Sequence, residues 1–222
     1  GTIDILEIVT VRDMLIMMAL LAMFVGSLVA IYQRNLKRML AFSSVAQIGY
    51  MVLGLSFDTI TGVAAGIIHL FNHAVMKGGL FMVLGIVAYK IGGVRLDDIA
   101  GLGRKMPLTM AAFVGGGLSL IGVPLTVGFV SKWYLIQAAL EKGWWIVAMM
   151  IVFSSLLAVI YVWRVVEVIY FQKAAKASLG INEAPLSMLI PTWLLIGSAF
   201  YFGIDATTTL EVAFAAAAAL MR

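Results

Sequence analysis

The two histidines of this 222-residue sequence, His69 and His73, stand four residues apart, and Lys77 follows four further on. On an α-helix each step of four turns by about 40° and rises by about 6 Å, so the three form a polar ladder about 12 Å long on one face. Asn72 borders it. Histidine exchanges protons near neutral pH and burial favours the neutral form of a lysine, so such a ladder, bridged by water, can relay protons. Two histidines four apart also suit a metal ion. With no cysteine in the chain and the acids gathered in loops, no third ligand is at hand, and no metal site is expected. A structural ladder, each group satisfied by an interhelical hydrogen bond, is the competing reading.

Lys132 is the second candidate. It lies in Gly128-Phe129-Val130-Ser131-Lys132-Trp133-Tyr134, eight residues after Pro124. Eight helical residues rise about 12 Å, which places it well inside a membrane span. The alternative is a lysine that snorkels to the interface beside an aromatic belt of Trp133 and Tyr134. Leu135 to Leu140 continue the apolar run past it, which favours a functional role. Lys37 is ambiguous, because Arg38 beside it makes both look like positive anchors. Ser43, Ser44 and Gln47 follow and could line a polar path. Arg164 and Glu167, three apart, read as a structural pair along their helix.

These residues need a scaffold, and composition defines it. Apolar residues make up 63% of the chain, charged residues 12%, and mean hydropathy is +1.08. A soluble domain is about 45–50% apolar, so the surplus must face lipid. The net charge of +4 comes from short basic loops and is no nucleic-acid signal. Residues Gly1 to Glu7 carry two acids and no base, unlike a positively charged leader, and Gly1 is not expected to be the natural start.

Six segments can span a bilayer, at about 13–32, 39–56, 61–89, 107–140, 144–171 and 186–204. The tail from Asp205 reads as an interfacial helix or a weaker seventh segment. One transmembrane domain over residues 1–222 is the simplest organisation. Arg34, Lys37 and Arg38, then Lys90, Arg95, Arg104 and Lys105, then Lys173 and Lys176, occupy alternate loops. The loops between carry Asp58 and the pair Glu141 and Lys142. That alternation fits six spans with the basic loops cytoplasmic and both ends outside. The fourth segment, straight, would reach about 51 Å against a hydrocarbon core of about 30 Å. It contains Gly115, Gly116, Gly117, Gly122, Pro124 and Gly128. The expectation is two half-helices joined by unwound backbone near 121–128, a feature that marks ion sites in transporters. A kink that only shapes packing is the alternative.

Three stretches resemble a known family. Asn35-Leu36-Lys37-Arg38-Met39-Leu40-Ala41-Phe42-Ser43-Ser44 through Gln47, Gly49 and Tyr50 is similar to its "LKR-LAYSS--Q-GY" motif. His69 through Phe81 is similar to its "H---HA--K--LF" helix. Gly122-Val123-Pro124 through Gly128-Phe129-Val130-Ser131-Lys132 is similar to its broken helix, "G-P---GF-SK". The family is the antiporter-like proton-translocating subunits of respiratory complex I, membrane-bound hydrogenases and multisubunit Mrp-type cation/proton antiporters. The resemblance implies an all-α membrane protein that forms most of one of two inverted helical repeats plus the C-terminal helices. It implies a missing first repeat, so that the chain is a fragment or a split subunit. It also implies that His69, His73 and Lys77 belong to a central polar axis. Lys132 matches the lysine of the outward half-channel and Lys37 one at a helix entry. Some relatives carry glutamate at the Lys132 position.

The expected function is a proton/cation-translocating subunit of a multisubunit cation/proton antiporter, because Val127 to Trp133 is most similar to the D-type component of Mrp antiporters. The alternative within the family is a proton-pumping subunit of complex I or a hydrogenase, a translocase whose redox chemistry sits on other subunits. From another class, a non-conducting assembly subunit is the rival. The resemblance further implies other membrane subunits as partners and protons as cargo, with Na+ or K+ as candidate exchanged cations. No cofactor and no nucleic acid are expected, and the location is a bacterial cytoplasmic membrane.

Overall fold

A computed structural model describes residues 10–174 and 180–222. The readings placed on Gly1 to Glu7 and on Lys176 lie outside the described residues. The described residues form eight α-helices and one short 3-10 turn, Leu102–Arg104. The helices are α1 Val11–Tyr32, α2 Leu36–Ser56, α3 Ile60–Ile91, α4 Pro107–Ile121, α5 Val127–Glu141, α6 Trp145–Phe171, α7 Leu186–Ile204 and α8 Thr207–Leu220. Five of them, α1, α2, α3, α6 and α7, are long and apolar enough to cross a membrane. The expected fourth span is α4 plus α5, and the tail is the fourteen-residue α8.

Local chemistry sets the helix starts. Thr10 and Asp13 make a capping box for α1. The Asn35 side chain accepts from the N–H groups of Lys37 and Arg38 at the head of α2. Thr59 accepts from Gly62 N at the head of α3. These are residue types whose side-chain oxygen replaces the missing partner of a first-turn N–H. For α4 the acceptor comes from a distant loop: Glu183 takes Leu108 N at 2.7 Å and the Thr109 hydroxyl at 2.6 Å.

The central element is α3, which packs against α2, α4, α5, α7 and α8. The largest apolar cluster includes Leu40, Leu80, Phe113, Val165 and Ile196, drawn from five helices. Outward-facing Met17, Leu21, Ile146, Trp163 and Leu194 are more than half exposed, the surface a bilayer covers. Small residues bring α1 and α2 together: a Cβ on Gly26 would meet the Ala46 backbone at 2.8 Å.

The basic loops meet at one end of the bundle. Asn35 bridges Arg95, Arg34 pairs with Asp97, and Gly101 N donates to Val168 O at 3.1 Å. At the other end the Thr61 hydroxyl donates to Glu141 and Phe57 packs on Trp144. The two sets of loops therefore lie at opposite ends, as the alternation of charge requires. Arg164 does not pair with Glu167. Its Nη1 donates to Ile31 O at 2.6 Å and Gln33 O at 3.4 Å, at the C-terminal end of α1. The unsatisfied carbonyls of a helix end accept well from a guanidinium, and an exposed ion pair three residues along a helix gains little against them.

Candidate functional site

The site begins at the break. α4 ends at Ile121, Gly122 takes the left-handed conformation (φ 90°) that a side chain resists, and α5 starts at Val127. Gly115, Gly116 and Gly117 stay helical and pack against Ile196, Leu80 and Val162. Unwinding confined to Gly122–Thr126 leaves the last carbonyls of α4 without helical partners. Lys132, one turn into α5, folds back to meet them. Its ammonium donates to Leu120 O at 3.0 Å, Ile121 O at 2.8 Å and the Ser155 hydroxyl of α6 at 2.8 Å. It also lies 5.2 Å from the Tyr50 ring centre. Lys132 is 5% exposed, which excludes the snorkelling orientation.

Gly128 and Ser131 bring α5 close to its neighbours. A Cβ on Gly128 would run into the Ser119 carbonyl oxygen of α4. Asn72 of α3 donates to Val127 O at 2.6 Å and ties the start of α5 to the central helix. The Ser131 hydroxyl, next to Lys132 in sequence, lies 2.8 Å from Nδ1 of His69. Nε2 of His69 lies 2.9 Å from the Gln47 side-chain oxygen on α2. His69 is fully buried, and both its ring nitrogens are engaged, which leaves neither for a metal.

Two turns along α3, Lys77 donates to Leu40 O at 2.8 Å and to the Ser43 hydroxyl, both of α2. Between them His73 is half-buried, and its Nε2 has no hydrogen-bond partner among the described residues. Neither Lys77 nor Lys132 has a carboxylate at ion-pair distance; the ion pairs among the described residues are Arg12–Asp13 and Arg34–Asp97. Among the described residues the amino groups of Lys77 and Lys132 bond carbonyl and hydroxyl oxygens, and Lys132 also meets the Tyr50 ring.

His69 and Lys132, singled out by type and spacing, both lie against the Tyr50 ring, with Gly122, Pro124 and Gly128 at the break, while Lys77 bonds α2 separately. Lys37 stands apart, exposed on the first turn of α2. Tyr50 and Ser155, at Lys132, and Ser131, at His69, belong to the site without having been singled out for it. Tyr50 and Ser131 stand in the motifs quoted above, and Ser155 is half of a Ser154-Ser155 pair in an apolar span.

Two buried lysines, one at a helix break and one on the histidine-bearing central helix, fit an antiporter-like membrane subunit. The chain belongs to the NADH:quinone oxidoreductase/Mrp antiporter transmembrane family, whose model matches residues 2–158. It is similar to NADH-quinone oxidoreductase subunit N of Desulforudis audaxviator, 44% identical over 190 residues, which are 80% of this chain and 38% of that protein. Subunit N 2 of Symbiobacterium thermophilum is 36% identical over 176 residues, 76% of this chain and 35% of that one. Among solved structures, a chain of the Mrp complex from Dietzia sp. DQ12-45-1b superposes with a TM-score of 0.88 at 25% identity, over 95% of this chain and 47% of that one. A chain of the membrane-bound sulfane sulfur reductase, an archaeal respiratory membrane complex, superposes with a TM-score of 0.87 at 33% identity, over 95% and 42%. The chain spans less than half the length of these relatives.

Subunit N relatives favour the NADH:quinone oxidoreductase reading over the Mrp antiporter reading.

Proposed function

We propose that this chain is the C-terminal portion of a proton-translocating membrane subunit in an NADH:quinone oxidoreductase-type complex, of the subunit N kind. The observation that carries this reading is His69, held between Gln47 and Ser131, because Ser131 adjoins Lys132 and Lys77 lies two turns along the same helix. Protons move between Lys77 and Lys132 by way of His73, His69 and Ser131, bridged by water. Carbonyl and hydroxyl acceptors at both lysines hold the ammonium form without a fixed counter-ion, so a neighbouring charge can shift either proton. Redox chemistry belongs to other subunits, and the partners are other membrane subunits of the same complex. The location proposed is a bacterial cytoplasmic membrane.

A second reading, a cation/proton antiporter with Na+ or K+ as the exchanged ion, is supported by the likeness to the Mrp complex. Mild-detergent isolation followed by mass spectrometry separates the two. Iron–sulfur or flavin subunits alongside the chain are the expected result. Small membrane subunits without any redox protein would transfer it to the antiporter class. A non-conducting scaffold would tolerate neutral, shape-preserving replacements at His69 and Lys132.

A further inference from the structure

At the basic end of the bundle, Gln33, Arg34, Asn35, Arg38 and Arg95 line a cavity of about 250 Å³. The backbone holds it in shape. Leu36 N donates to Val94 O and Leu96 N to Arg34 O, both at 2.9 Å, so the α1–α2 turn and the segment after α3 run side by side. Arg164 grips the carbonyls of Ile31 and Gln33 just before the turn. Of the three guanidinium groups, Arg34 faces Asp97 at 3.6 Å across solvent. Asp98 turns inward to accept the N–H of Arg95 at 2.9 Å. Among the described residues no carboxylate reaches ion-pair distance of the Arg38 or Arg95 guanidinium.

From Arg38 an exposed apolar stripe runs down α2 through Ala41, Val45 (44% exposed) and Ile48 (51% exposed). These sit three, seven and ten positions on, one helix face. Ten residues rise about 15 Å, the depth of one leaflet of a hydrocarbon core about 30 Å thick. On α1, Val25, Leu28 and Tyr32 are likewise exposed and end at the same turn. A cationic pocket roomy enough for a phosphate-bearing headgroup, heading a leaflet-deep apolar stripe, fits an amphiphile with an anionic head.

We propose that this pocket binds the phosphate of an anionic phospholipid, with the acyl chains along the Ala41–Val45–Ile48 stripe. Arginine forks match phosphate oxygens in pairs, and basic pockets at helix ends recognise lipid headgroups. The site lies apart from the Lys77–Lys132 system and does not depend on its function.

The test uses the protein isolated with its native membrane partners in mild detergent. Dioleoyl phosphatidylglycerol, dioleoyl phosphatidylcholine or inorganic phosphate is titrated, and native mass spectrometry counts what is retained. One phosphatidylglycerol should bind in preference to phosphatidylcholine and resist displacement by inorganic phosphate. The double variant Arg38→Gln/Arg95→Gln should weaken it about thirtyfold, about fivefold for each arginine. Equal retention of the two lipids, unchanged binding in the variant, or displacement by phosphate at equal concentration would overturn the proposal. If the variant does not assemble, arginine modification by phenylglyoxal is followed on the wild type in nanodiscs of either lipid. Arg38 and Arg95 should be protected by phosphatidylglycerol more than Arg12, at the opposite end; equal protection would overturn the proposal.

Discussion

The ammonium of Lys132 sits 2.8 Å from the carbonyl of Ile121, although the two residues belong to different helices on either side of a break. The lysine closes the end of α4, and in the proposed relay it also carries the proton at that point. Lys132→Gln keeps one amide donor for those carbonyls and removes the proton carrier. Proton transport by the assembled complex should fall by at least about tenfold, the effect of about 1.4 kcal/mol of barrier. Lys132→Met should fail as well, because a thioether neither donates to those carbonyls nor carries a proton. Transport measured in vesicles checks both, and full transport by Lys132→Ala would sink the relay.

Gly128 tests the geometry that makes this possible. Any Cβ there overlaps the Ser119 carbonyl, which is backbone and cannot swing aside. Gly128→Ala should therefore push α5 away from α4 and cost about 1–3 kcal/mol. The measurement is thermal stability in detergent, together with the amount of assembled complex. Wild-type stability would mean that α4 and α5 are further apart than described.

The break was legible because Pro124 and its flanking glycines are local signals, and the depth of Lys132 followed from counting residues onward from Pro124. The partners of these residues were not legible. Ser131 stands in the broken-helix motif without a partner named for it, and Ser155 looks like any serine in an apolar helix, where a hydroxyl usually bonds the carbonyl four residues back. Only the pairing of α3 with α5, and of α5 with α6, turns them toward His69 and Lys132. Arg164 shows the opposite error. The local rule for residues three apart offered Glu167, while tertiary packing supplied the end of α1. Glu183 read as loop until the fold brought it to the first turn of α4.

The Arg164 contacts make a separable prediction. Arg164→Leu removes a charged donor from Ile31 O, and such bonds contribute about 1.5–3 kcal/mol. Glu167 is exposed, so Glu167→Gln should stay within about 0.5 kcal/mol of the wild type. Unfolding of the two variants should therefore differ clearly. Equal losses would restore the pairing along α6.

His69 offers the sharpest separation of relay from scaffold, because its two nitrogens face oxygens on two different helices, Gln47 on α2 and Ser131 on α5. His69→Ala removes this partner from the Gln47 oxygen, leaves Ser131 only its 3.5 Å bond to Val127 O, and opens a cavity, so it should cost stability and transport together. His69→Gln is more informative. A glutamine amide can still donate to one oxygen, but it cannot exchange a proton between two nitrogens. Stability should fall by no more than about 1 kcal/mol, the worth of one hydrogen bond, while transport drops at least about tenfold. Gln47→Leu removes the α2 partner but leaves the Ser131 side intact, so its transport should lie between that of wild type and His69→Gln. Transport that tracks only the stability of each variant, with His69→Gln close to wild type in both, would assign His69 to packing and remove it from the path between Lys77 and Lys132.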